Sequence, residues 1–483
     1  MNHKGVACGA LGAMVDTTAG ACAWLYVGTV MVWILASPYP ALQDYPEWLY
    51  QGHVVAALFK GSPGAAAAFE FARYPIPNSL TQIMLGLVNL VVSPLVAGKI
   101  WLCAYLISFM VVLTVIARSV HPAHCGKLLL VLTTTTAVDS GFWNGYINYQ
   151  VSLLLLSMFV YVWFLQGRQT VAMLGSFALA LFFCHAATFV VFVGLLLIAE
   201  ATRQPQRLIG FPRGKIVAGL LPALCLLLWY TVARRPVSVG AVIAMPGKDI
   251  GDSLGAFLAY KGYTIMKQGA FHIFEFPDKT SHLAGLDALY WVGVALNGLF
   301  AVLLVAAVLW ALWDMYQNRR WHDLRFPLTF AVCTWVAYFG SPQLFLNIAN
   351  FGERVLVPSL LVLFCLLKVR PVMLVALCMP VLAALPMTMS FLITPHLFAP
   401  HAQTTYHRFF THRPYQFAAK AEFLSTSGAT PYLPLNFDSS VLRNRPRGSN
   451  LFRPDHLHAE AQRLFQVNTE LTAKFPYGAD QEP

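Results

Sequence analysis

Four stretches of this 483-residue chain gather side chains able to do chemistry. The first runs Pro38-Tyr39-Pro40-Ala41-Leu42-Gln43-Asp44-Tyr45-Pro46-Glu47-Trp48-Leu49, directly after an apolar segment. A carboxylate in that place stands at the water–lipid boundary, where a low dielectric raises its pKa and equips Asp44 as a general base. Asp44 before Tyr-Pro-Glu also suits the cap of a helix N-terminus, and the two roles are compatible. The second stretch, Asp139 to Tyr149, combines an acid, two glycines, the amides Asn144 and Asn148, and four aromatics. Aromatic faces such as Trp143 stack on sugars, while amides and carboxylates bond hydroxyls. An interfacial aromatic belt would account for the rings, but it does not call for Asn144, Asn148 or Asp139.

The third stretch is His185, in Phe-Cys-His-Ala-Ala-Thr between two apolar segments, either a satisfied structural histidine or a ligand or acid at an outer turn. The fourth comprises Ser341-Pro342-Gln343 and Asn350-Phe351-Gly352-Glu353-Arg354. Arg354 opens an apolar run, and an arginine at that depth needs a reason. One is a phosphate gripped by its planar fork of donors. The others are a salt bridge to Glu353 and snorkelling to the interface.

The elements that must position these residues are helices in lipid. The chain is 58% hydrophobic and only 11% charged, with mean hydropathy +0.61, against about 25% charged in soluble domains. The surplus apolar surface faces lipid, and its long continuous runs are helical spans, not barrel strands. Lys and Arg, which give the net charge of +11, sit at the ends of apolar runs; that distribution orients membrane helices and argues against a nucleic-acid partner. The expected fold is an all-α integral membrane protein of about 10–11 transmembrane helices, with juxtamembrane helices on the outer face. The runs fall at 21–37, 80–97, 99–117, 128–138, 149–165, 171–199, 214–232, 286–313, 326–340, 355–368 and 371–393. The first reads as an uncleaved span, because its N-terminal flank is long and weakly basic.

Placing the short basic connections (Arg118 to Lys127, Arg168, Arg203 to Lys215, Arg319 to Arg325, Lys368 and Arg370) in the cytoplasm has two consequences. Residues 80–97 must not span, and 171–199 must be two short segments with an outer turn near Cys184-His185. Residues 1–395 then form the membrane domain, with outer loops at about 38–98, 139–148, 233–285 and 341–353. Residues 396–483 form an extracytoplasmic tail. The loop 233–285 runs against the sign rule, with Arg234, Arg235, Lys248, Lys261, Lys267 and Lys279. Nine cysteines without a CxxC, and irregularly spaced tail histidines, support neither a disulfide framework nor a metal site.

The segment Gln43-Asp44-Tyr45-Pro46 after the first span, a second outer loop headed by Asp139, an outer His185 and a late Arg354 together resemble the GT-C superfamily of membrane glycosyltransferases. The likeness covers roughly 20–400 as architecture, nearest to less characterised bacterial members. It implies a polyprenyl-phosphate-linked sugar donor, a glycan, lipid or protein acceptor, and a place in the cell (inner) membrane. It assigns catalytic roles to Asp44 and Asp139, and substrate binding to Trp143, Asn144, Asn148, His185 and Arg354. No Asp-x-Asp occurs, so a divalent cation has no clear motif behind it. The alternatives are a lipid or polysaccharide transporter or flippase, which would show charges at mid-membrane depth, and a non-catalytic scaffold of an envelope-polysaccharide assembly complex.

Overall fold

A computed structural model describes residues 3–37, 40, 42, 45–62, 66, 69–202, 213–233, 254–272, 287–341, 344–345, 348–349, 351–393 and 442–444. The chain is an all-α integral membrane protein. Among the described residues, six helices are long and apolar enough to cross a bilayer: within Met14–Ala36, Pro94–Val120, Ile147–Leu165, Gly214–Ala233, Trp291–Gln317 and Pro371–Ser390. Their exposed side chains include Leu25, Val111, Leu228, Val302 and Met379, apolar groups suited to lipid.

In chain order, α1 (His3–Ala36) leads to α2 (Tyr45–Phe59), strand β1 (Phe69–Phe71) and α3 (Leu80–Val88). At about 1.5 Å per residue α3 is only about 14 Å long, half of the ~30 Å hydrocarbon core, so it does not span. It packs on α2 so closely that a Cβ on Gly86 would stand 2.3 Å from Val55. The expected 80–97 unit is in fact divided. Pro94 belongs to the next long helix, α4 (Pro94–Val120), where the proline takes the first turn and needs no amide partner.

Helix α5 (Cys125–Leu132) widens into a π turn over Thr133–Ala137. All four threonines there are buried, and each hydroxyl bonds a carbonyl of the preceding turn, at 2.7 Å for Thr133 to Leu129 and 2.6 Å for Thr136 to Leu132. Such back-bonding competes with the helical ladder and accompanies the wider turn. After it come the short α6 (Ser140–Trp143), then α7 (Ile147–Val160), α8 (Val171–Cys184) and α9 (Ala186–Ala201). The break between α8 and α9 falls at His185, in extended conformation, as the sequence led us to expect. Helices α10 (Arg213–Ala233), α11 (Leu254–Met266), α12 (Asp287–Gln317) and α13 (Trp321–Gly340) follow. The β2–β3 ladder (Leu344–Phe345 with Ile348–Ala349) then leads to α14 (Phe351–Leu366) and α15 (Pro371–Ile393). Helix α11 lies inside what the sequence offered only as a loop.

Two of the basic connections, at Lys127 and Arg370, are tied into the helices around them. Lys127 bridges Asp16 at 3.4 Å, Arg370 bonds Asp314, and the Cys378 thiol reaches the Lys127 carbonyl at 3.5 Å. Of the residues singled out for chemistry, Asp139, Asn148, His185 and Arg354 lie at the opposite ends of the helices that carry them. Strand β4 (Leu442–Asn444), from the tail, pairs antiparallel with β1, setting Arg443 opposite Glu70.

Candidate functional site

Arg354, in the first turn of α14, is half-buried and lies with its guanidinium 4.2 Å from the centre of the Tyr146 ring and 6.0 Å from that of Tyr149. Its Nη1 is 3.0 Å from His185 Nε2. Nε2 accepts from this guanidinium, and Nδ1 accepts from the Thr188 amide at 3.4 Å and lies 3.3 Å from Thr188 Oγ1. Thr188 is in turn 2.6 Å from Ser152 Oγ. The imidazole is thus held between the Arg354 guanidinium and the first turn of α9, with Tyr149 edge-on to it at 5.2 Å. Among the described residues Arg354 has no carboxylate partner, and its buried Nε has no hydrogen-bond partner. Glu353 turns away to Lys267 at 3.6 Å, and both of those side chains are buried. The salt-bridge alternative for Arg354 is therefore set aside.

Three loops converge to hold this arrangement. Asn78, in the first loop, adopts φ 68°, a left-handed conformation that asparagine tolerates better than most residues. Its Oδ1 accepts from the amide of Ala186 (2.9 Å), at the start of α9, and its carbonyl accepts from Asn148 Nδ2 (2.6 Å). Trp48 of α2 donates to the Gly145 carbonyl at 3.1 Å. A third tie comes from α11, where Lys261 Nζ donates to the carbonyls of Tyr338 (2.6 Å) and Ser341 (2.8 Å) at the end of α13. Burial lowers the Lys261 pKa to about 8, partly offset by Glu353. Lys261 and Lys267, two of the charges that ran against the sign rule, are thus interior ties and not loop surface.

Asp139 is buried at the head of α6, where its Oδ1 accepts from the Phe142 amide (3.0 Å) and from Gln150 Nε2 (2.5 Å). Gln150 Oε1 accepts from Tyr105, whose hydroxyl is also 2.8 Å from the Ala137 carbonyl. Gly141 lets this pair close, since a Cβ there would stand 2.8 Å from Gln150 Nε2. Trp143 packs against Trp33 (5.6 Å), Phe142 (5.4 Å) and His272 (6.1 Å), and Asn144 bonds the Ser140 carbonyl at 2.8 Å.

Of the residues expected from sequence, His185 and Arg354 touch, and Asn148 joins them through Asn78. Asp139, Trp143 and Asn144 are engaged in building the second loop, and Asp44 lies outside the described residues. Sequence reading passed over Asn78 and Gln150, and it gave Thr188 and Lys267 no role in the site. A proline-bounded asparagine, Ile76-Pro77-Asn78-Ser79, was the available signal for the first of these. Among the described residues, no group of three or more His, Cys, Asp or Glu is placed to hold a metal. No protein family, characterised protein or solved structure matches the chain.

Proposed function

We propose that this chain is a membrane-embedded glycosyltransferase of the GT-C kind, moving a sugar from a polyprenyl-phosphate-linked donor to an envelope acceptor at the extracytoplasmic face. The supporting observation is Arg354: a half-buried guanidinium seated between an imidazole nitrogen and a tyrosine face, with no carboxylate partner among the described residues. A desolvated cation without a counter-ion favours an anion, and the planar fork suits a phosphate. At the head of a helix the dipole adds to that preference.

In this reading Arg354 holds the lipid phosphate as the bond from the sugar's anomeric carbon to the phosphate oxygen breaks. The acceptor hydroxyl attacks that carbon, Asp44 takes its proton, and the products are the glycosylated acceptor and free polyprenyl phosphate. Asp139 shapes the 140–149 loop against which donor and acceptor lie. Transport and scaffold readings lack a comparable observation, since the buried cations Lys127 and Lys267 each have a carboxylate partner and the buried Lys261 is bound by the carbonyls of Tyr338 and Ser341.

The test uses membranes holding the full chain, supplied with labelled polyprenyl-phosphate sugars and envelope extract. The expected result is release of free polyprenyl phosphate, lost in Arg354→Gln and in Asp44→Asn. Undiminished release by Arg354→Gln would overturn the assignment.

A further inference from the structure

The corner where α12 turns into α13 has a chemistry that the site around Arg354 does not use. Helix α12 ends in a Schellman turn: the Arg320 amide donates to the Met315 carbonyl and the Arg319 amide to that of Tyr316, both at 3.0 Å. The left-handed position of such a turn is ordinarily glycine. Here it is Arg319, at φ 53°, one of two non-glycine residues with positive φ among those described. Glycine would be the less strained choice, so the arginine side chain needs a reason of its own.

Three exposed rings flank Arg319 in sequence and touch in an unbroken chain. Trp313 stacks on Tyr316 at 5.4 Å, and Tyr316 meets Trp321 edge-on at 4.7 Å. The acids at the corner are taken. Asp323 accepts from Arg320 at 2.6 Å, and Asp314 accepts from Arg370, which also lies over the Trp310 ring. Arg319 and Arg325 are exposed and have no carboxylate partner among the described residues. Arg325 lies one turn after Trp321, on the same face of α13. That face continues as exposed Leu328, Val332 and Val336. On α12, exposed Val302 and Leu309 lead at helical spacing to Trp313 and Tyr316. The Tyr316–Trp321 contact joins the two stripes. Two apolar tracks thus run into aromatic rings and then into two unmatched guanidiniums.

Acyl chains fit the tracks, amphipathic rings suit the headgroup depth, and guanidiniums answer a phosphodiester. An interfacial aromatic belt accounts for the rings alone; it does not call for an arginine where glycine would relieve the backbone. We infer that this corner binds an anionic phospholipid, whose headgroup Arg319 and Arg325 hold and whose chains lie along α12 and α13. The inference is independent of the activity proposed at Arg354.

The experiment counts the lipids that the full chain retains in native mass spectrometry, after reconstitution in equal amounts of phosphatidylglycerol and phosphatidylcholine. Each guanidinium should favour phosphatidylglycerol about fivefold, so the native chain should prefer it about twentyfold. Arg319→Gly should melt no lower than the native protein in detergent, because it relieves the backbone, yet lose about fivefold of the preference. Arg325→Gln, which leaves the turn untouched, should lose about as much. Arg354→Gln should keep the full preference. A native chain without a preference would overturn the inference, as would a double variant Arg319→Gly/Arg325→Gln that retains it. Loss of the preference in Arg354→Gln, with retention in the double variant, would assign the phosphatidylglycerol to Arg354 and overturn it equally.

Discussion

Glu353 and Arg354 are adjacent in sequence, yet the protein treats their charges in opposite ways. Glu353 is buried and answered by Lys267. Arg354 is offered an imidazole nitrogen and a tyrosine ring and, among the described residues, no carboxylate. The same contrast separates Arg354 from Lys127, Arg320 and Arg370, each of which faces an aspartate. Paired charges tie helices together and need nothing from outside. A cation left without its counter-ion costs the folded protein something, and that cost is recovered when an anion binds. The difference teaches where to look for function: not where charge is most abundant, but where it is least balanced.

The comparison is broken most severely at Lys267. Replacing it by Met leaves Glu353 buried without its cation, and the loss should be about 3–5 kcal/mol. The double variant Lys267→Met/Glu353→Gln should recover most of it in chemical unfolding. Equal loss in single and double variants would show that the pair is not what stabilises the α11–α14 contact.

A second effect is pH-dependent. Burial, with the nearby Lys267 cation, depresses the His272 pKa to about 3, below the ordinary value of about 6.5. The folded state therefore favours neutral His272, and between those values the unfolded chain binds more protons. Stability from this group should be complete above pH 6.5 and drain away as pH falls towards 3. The melting temperature of His272→Gln should show a shallower slope than the native protein across that window. An identical slope would remove His272 from the account.

Smaller still is the effect at Asn78. Asn78→Ala strains a left-handed residue and deprives the Ala186 amide of its acceptor, together about 2 kcal/mol. Asn78→Gly restores the backbone freedom and should lose only about half of that. Both should weaken anion binding at Arg354, because the loop that holds His185 is loosened. Anion binding at native strength in Asn78→Ala would separate the loop from the site.

Much of the fold was legible because lipid imposes simple rules. A run such as 371–393 reappears as α15 with the same bounds, and the long run 171–199 divides at His185 as the basic residues on either side demanded. The boundary at Pro94 was missed because apolar continuity conceals a helix start that only the proline betrays. The site was less legible, since its architecture depends on contacts remote in sequence. Nothing near Asn78 announces that it will bond Ala186, and nothing near Lys267 announces Glu353. Arg354 was visible because an arginine opening an apolar run is conspicuous anywhere. Asp139 stood out for the same reason, and the structure adds that Gln150 and the Phe142 amide hold it.

The central claim is that Arg354 is an anion site and not a tie within the fold. Native mass spectrometry of the full chain, released from mild detergent, tests it most directly. The account predicts a bound phospholipid-type anion, a polyprenyl phosphate or its sugar conjugate, retained by the native protein and absent from Arg354→Gln, while the two proteins melt within about 1 kcal/mol of each other. Retention of the same lipid by Arg354→Gln, or unfolding of that variant, would contradict it.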